Sequence, residues 1–317
     1  MPSLPATRTR NSLVAIGWAP RARRRASAKL ALQKALVQNT IAAHDRPFPP
    51  TLIRRKTLKA AGVRVSAALG WHAAARTPVA KVRALMQALR PLDPGIELMR
   101  LGPHGDGGYL VPDDLDGIRY AFSPGVSSES GFEAALAERG MHVFLADASV
   151  DGPATSHPRF MFDKRFVGCL TDERYITLDD WHAAKLGDDP AELLLQMDVE
   201  GAEYETLLAA SPKLLAKFRI MIVELHSLPQ LWNEPFFAVA SRMFAKVLQS
   251  HAVVHIHPNN CCGSVKSAGL EIPRIAEFTF LRRDRLRSMA YRTTFPHPLD
   301  RPNVAKAPLH LPPCWYT

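Results

Sequence analysis

The chain has 317 residues, a net charge of +10 and four cysteines, and the charge is split between two segments. Residues 1–90 hold 18 Lys and Arg against one acid, Asp45, for +17, whereas residues 91–317 hold 22 against 29, for −7. A basic arm on a mildly acidic body argues against a fold that is basic throughout and grips nucleic acid. No run of about 18 apolar residues occurs, so no spanning helix is expected. Residues 11–18 are too short for the apolar stretch of a secretory leader. Cys169, Cys261, Cys262 and Cys314 form no CxxC pair, which removes zinc-finger and thioredoxin readings. Cys261 and Cys262 are adjacent and poorly placed to pair, so a reducing, cytoplasmic setting is expected. The arm is also rich in Arg and poor in acids, as organelle transit peptides are.

In chain order, residues 1–55 alternate arginine clusters with proline, and one short helix is expected over 26–38. The segment has few large apolar residues for its charge and reads as partly disordered. Val79, Val82, Leu85, Met86 and Leu89 recur at helical spacing. From about Ile96 strand-like and helical runs alternate. Strands are expected over 118–122, 142–146, 193–197, 219–225, 252–257 and 276–281. Helices are expected over 131–139, 179–185, 202–210 and 235–249. Near-continuous apolar strands between helices imply a mainly parallel sheet covered by helices. Residues 288–317 contain six prolines and read as an irregular tail. The organisation expected is therefore a basic extension over 1–90, an α/β domain over 91–287 and a tail over 288–317.

Open α/β sheets bind ligands beyond the carboxyl ends of their strands. The first such end, Ser123-Pro124-Gly125-Val126-Ser127-Ser128, is a small-residue turn entering a helix, with free amides there. Asp147 ends the next strand 22 positions after Gly125, a spacing that suits a ribose diol. The turn is not GxGxxG, so alone it equally fits an ordinary β–α turn. Asp198, Glu200, Glu203 and Glu205 put four acids into eight residues at another strand end. Helix capping accounts for Glu203 and Glu205, but less well for Asp198. Glu224 and His226 share a face, as do His255 and His257. With Cys261 and Cys262 close by, a metal is weighed at the histidine pair and set below hydrogen-bonded imidazoles, since the motif embeds no carboxylate. No metal is expected. The loop 100–109 lacks the ending of a phosphate-binding loop and reads as a hairpin turn about Asp106-Gly107.

Taken together, these blocks resemble the FkbM-type family of S-adenosylmethionine-dependent methyltransferases. The matching pieces are DGGY with VPDDL (106–115), SPGVSSESGFE (123–133), FLADASV (144–150) and ITLDDW (176–181). They continue with LLLQMDVEGAEYE (193–205), IMIVELHSL (220–228), HIHPNNCCG (255–263) and IPRIAEFTFLRRD (272–284). The resemblance implies a Rossmann-like class I methyltransferase fold, a seven-stranded, mostly parallel sheet with helices on both faces. It implies that Ser123, Gly125 and Ser127 lie under the methionine end of S-adenosylmethionine and that Asp147 holds the ribose. Leu178 and Asp179 would supply part of the adenine side, and Asp198 would face the sulfonium. Ser123 and Pro124 depart from the family's glycine motif, and residues 1–90 match nothing in it.

Methyl transfer needs alignment and, for a hydroxyl acceptor, a base. His226 or Asp198 is the expected base, with Glu200 orienting it. His257, Asn259 and Asn260 are expected to bind a polar acceptor, a sugar, glycan or secondary metabolite. The alternatives are an NAD-dependent oxidoreductase and a non-catalytic binding protein whose arm touches nucleic acid or an anionic surface.

Overall fold

The computed structural model describes residues 74–126 and 128–317. The arm's expected helix over 26–38, and Ser127, lie outside the described residues.

The first described helix, α1 (Val79–Ala88), follows Pro78, whose fixed φ suits a helix entry. It turns Val82, Leu85 and Met86 inward, each at most 3% exposed. The expected boundary at residue 90 falls after this helix, yet α1 packs in the same core as the sheet. A short antiparallel hairpin follows, β1 (Leu98–Leu101) and β2 (Tyr109–Pro112), joined across the glycine-rich loop.

The sheet itself begins with β3 (Tyr120–Pro124), then α2 (Gly131–Glu138), β4 (His142–Ala146) and β5 (Phe160–Asp163). A small parallel ribbon, β6 (Phe166–Gly168) and β7 (Tyr175–Thr177), leads into α3 (Leu178–Leu186). Next come β8 (Leu193–Met197), α4 (Glu203–Ala209), α5 (Pro212–Leu215) and β9 (Phe218–Leu225). A 3₁₀ turn, Leu228–Trp232, precedes the long helix α6 (Glu234–Ser250) and β10 (His251–Pro258). A hairpin of β11 (Ser264–Ser267) and β12 (Leu270–Pro273) then leads into β13 (Ala276–Arg282).

Seven strands form one sheet in the order β10-β13-β9-β8-β3-β4-β5. The pairs β9–β8, β8–β3, β3–β4 and β4–β5 are parallel, and β13 runs antiparallel to both β9 and β10. All five residues of β8 and all eight of β9 are buried, as strands covered on both faces must be. One face is covered by α1, α3, α4, α5 and α6. The other carries α2 and the β1–β2 hairpin, whose loop holds the Asp106-Gly107 turn expected there.

The C-terminal residues are irregular, as their prolines require, but they are packed. Trp315 is 1% exposed in the main core and donates through Nε1 to the Glu271 carbonyl at 3.0 Å. Cys261 and Cys262 are joined in a disulfide, which corrects the expectation that they would not pair. Among the described residues, no helix is long and apolar enough to cross a membrane.

Because Leu85 packs in the sheet's core, Leu85→Ala should cost about 2–5 kcal/mol in urea unfolding. Arg83→Ala, on the exposed side of the same helix, should stay within about 0.5 kcal/mol of wild type.

Candidate functional site

The turn after β3 meets the end of β8. Gly125 has φ +91°, and a Cβ there would stand 1.5 Å from the Asp198 carbonyl oxygen. Only glycine fits this approach. The closure is fixed by hydrogen bonds from Gly125 N to the Ala146 carbonyl, 3.1 Å, and from Asp198 N to the Pro124 carbonyl, 3.2 Å. Above it opens a cavity of about 340 Å³, lined by Gly125, Asp147, Ser149, Phe166, Tyr175, Asp198 and Glu200 among others. It lies at the carboxyl ends of parallel strands, where ligands of open α/β sheets are held.

Asp147 half-faces this cavity. Its Oδ1 accepts from Ser149 N at 2.7 Å and Ser149 Oγ at 2.6 Å, and its Oδ2 accepts from Val126 N at 3.1 Å. A carboxylate has about four acceptor positions, so capacity remains for a ligand hydroxyl.

The other wall is built by the turn after β8. Glu200 has φ +53° and Gly201 φ +112°, two left-handed residues that reverse the chain into α4. The reversal aims three carboxylates at His226, which follows β9. His226 Nδ1 lies 2.9 Å from Glu203 Oε1, and its Nε2 lies 3.2 Å from Glu200 and 3.9 Å from Asp198. Glu203 is fully buried and also accepts from Gly201 N at 2.8 Å. Tyr204 Oη donates to the His226 carbonyl at 2.9 Å, fixing the ring's backbone.

Burial pushes Asp198 up to about 7, against the pull of the His226 charge. Burial also acts to lower His226, but the Glu203 hydrogen bond and the surrounding carboxylates outweigh it and hold the ring at about 9. Glu224, buried beneath them, is raised to about 9 by burial and by the Asp198 and Glu277 charges. Asp198, Glu200 and His226 lie close enough to share one ion. With no ion bound, the cluster is an imidazolium held among carboxylates.

Of the expected cofactor residues, the structure brings Gly125, Asp147 and Asp198 together. It sends three others elsewhere. Ser123 is fully buried, with Oγ 2.6 Å from both Glu133 Oε1 and Gln196 Oε1. Leu178 is core, at 1% exposure. Asp179 accepts from Ser211 N at 2.7 Å and lines a different cavity behind α3. Leu178 and Asp179 therefore turn away, and the cavity wall comes from Tyr175 and Phe166, whose rings lie 5.5 Å apart. An aromatic pair on a three-residue ribbon gives no periodic signal, so the pattern of the sequence could not reveal it.

The expected acceptor residues are also committed. Asn259 Nδ2 donates to Glu224 Oε1 at 2.9 Å, and its Oδ1 accepts from Cys261 N. Asn260 grips the tail, donating to the Val304 carbonyl at 3.0 Å and accepting from Val304 N at 3.0 Å. His257 faces Asp300, 3.5 Å away.

Residues 133–258 match a family model, described as the Methyltransferase FkbM domain. The match runs from α2 to the end of β10. It takes in Asp147, Asp198, Glu200 and His226 but begins after the Gly125 turn. It supports a methyltransferase. No curated protein matches the chain.

The site's electrostatics give a definite pH dependence. The His226 ring holds its proton to about 9 in the fold, against about 6.5 when free. Its stabilisation is complete below pH 6.5 and is lost as pH rises through 9. Asp198 and Glu224, raised to about 7 and about 9, favour folding while protonated and oppose it once ionised. All three act in one direction, so stability to urea should fall from pH 6 to pH 9. An NMR titration should find the His226 midpoint near 9, and Glu203→Gln should bring it toward 6.5.

Proposed function

We propose that the protein is an S-adenosylmethionine-dependent methyltransferase acting on a hydroxyl of a sugar, glycan or secondary metabolite. The observation that carries this is the convergence of Gly125, Asp147 and Asp198 on one cavity of about 340 Å³. That volume falls within the usual range for a small-molecule site. The residues fit such a cofactor on two counts. The floor at Gly125 is bare backbone that a Cβ would fill. Asp198 Oδ1 is a buried oxygen with no hydrogen-bond partner. S-adenosylmethionine, when bound, supplies an electrophilic methyl on a sulfonium.

In this reading Asp147 accepts from a ribose hydroxyl, and Phe166 and Tyr175 flank the adenine. Asp198 and Glu200 set negative charge where a cation must lie, while Gly125 lets the ligand approach the backbone. Asp198 takes the acceptor's proton, because a value of about 7 matches neutral working conditions. His226 is a poor base at that pH, being protonated already. Its part is to hold Asp198 and Glu200 in place as a cation fixed by Glu203. This moves the base from the pair His226 or Asp198 to Asp198.

Calorimetry should show S-adenosylmethionine binding to the wild type, and its absence would end the proposal. Asp147→Ala should weaken that binding by about tenfold or more, the usual loss for a hydrogen bond to a charged group. With donor labelled on the methyl and cell extract as acceptor source, Asp198→Asn should lower turnover by about 10²–10⁴-fold. Its thermal unfolding should remain cooperative.

A further inference from the structure

A second set of polar side chains meets at the outer edge of the sheet. His255 and His257 lie two apart on β10 and share a face. The C-terminal segment lays Asp300 against both. His255 Nε2 is 2.8 Å from Asp300 Oδ1, and His257 Nδ1 is 3.5 Å from the same oxygen. One ligand atom from each residue lies within 4.8 Å of the other two. Ligand atoms around a tetrahedral zinc, each at about 2.0–2.1 Å, stand about 3.3 Å apart. The triangle already approaches that size.

We propose that His255, His257 and Asp300 form a binding site for a divalent first-row transition ion, with zinc as its representative, whose open position faces the adjoining cavity. Two imidazoles and one carboxylate suit such ions, whereas magnesium and calcium favour oxygen alone. All three side chains are largely buried, at 2%, 11% and 7% exposure.

Two of the three side chains are held in place from outside the cluster. Asp300 Oδ2 accepts from His297 N at 2.8 Å, which fixes the carboxylate while leaving Oδ1 to the histidines. The His255 ring is stacked with Phe295 at 5.9 Å, which sets its plane. The far nitrogens, His255 Nδ1 and His257 Nε2, are buried with no hydrogen-bond partner among the described residues. The near nitrogens both face Asp300, so an ion entering here would take the place of the protons they share with that carboxylate. A cavity of about 140 Å³ opens beside His257 and Asp300, with room for a water or a small donor.

This site is distinct from the methyl-transfer pocket. β13 and β9 separate β10 from β8, so three strand spacings put the ion roughly 14 Å from Asp198. The ion ties the C-terminal segment to the edge strand and presents one position to the cavity, without touching a transferring methyl.

The test is titration of the metal-stripped full-length protein with zinc by calorimetry, and with cobalt by absorption spectroscopy. One equivalent should bind in the wild type. Binding should weaken at least about 100-fold in His255→Ala, His257→Ala and Asp300→Asn. Asp300→Asn keeps one acceptor oxygen where Asp300 uses two, for His255 and for His297 N, so it should melt modestly below the metal-stripped wild type yet still cooperatively. Zinc should raise the melting temperature of the wild type and not of this variant. His255→Gln serves in its place if Asp300→Asn does not fold. Glu200→Gln should bind zinc as the wild type does. Two results overturn the proposal. One is zinc binding no tighter in the wild type than in Asp300→Asn. The other is binding lost in Glu200→Gln but kept in Asp300→Asn.

Discussion

The upper edge of this protein depends on one register. The antiparallel strand β13 lies between β9 and β10 and sets Glu277 opposite Glu224 on one side and His257 on the other. Asp198 extends the same row, since Met197 before it pairs with Val223 beside Glu224. Three carboxyls and an imidazole therefore stand on four neighbouring strands. Glu224 and Glu277 are each 5% exposed. Like charges so placed cannot all ionise. Burial raises both, and each accepts one amide hydrogen bond, Glu224 from Asn259 at 2.9 Å and Glu277 from Asn303 at 2.7 Å.

This row explains why Asn259, expected at the acceptor, is turned onto a buried carboxyl instead. An unpaired buried carboxyl costs several kcal/mol, and Asn259 is the group that relieves Glu224. Ser123 is held inward for a related reason. Its Oγ stands 2.6 Å from both Glu133 Oε1 and Gln196 Oε1, and Gln196 Nε2 in turn donates to Tyr109 Oη at 3.2 Å. A serine that looked like a ligand contact is a link in a buried chain. The cavity above keeps only groups with spare capacity, Asp147, Asp198 and Glu200.

Local pattern made the central strands legible. The runs 142–146 and 193–197 coincide with β4 and β8, and 219–225 falls one residue short of β9. These are apolar runs buried on both faces, where residue type and environment agree. β5 was missed because its four residues are half-buried or exposed, with no alternation to mark them. β6 and β7 were missed because three residues carry no period. The Gly125–Asp147–Asp198 convergence was legible because all three stand at strand ends, and strand ends in a parallel sheet share one edge.

What pattern cannot carry is a partner brought from far along the chain. His255 and His257 were set down as hydrogen-bonded because no carboxylate stood near them in the motif. The carboxylate is Asp300, 45 residues beyond His255. It arrives because Asn260 clamps the backbone at Val304 and Trp315 anchors the chain end in the core. The prolines that made 288–317 read as an irregular tail also leave it without an α-helix or a sheet strand. Such a segment can lie along an edge strand only if side chains hold it there. Asp300 between two histidines is one of those holds. The same contact therefore serves the packing of the tail and, with an ion, would give that packing a dependence on metal that the apolar core alone would not have.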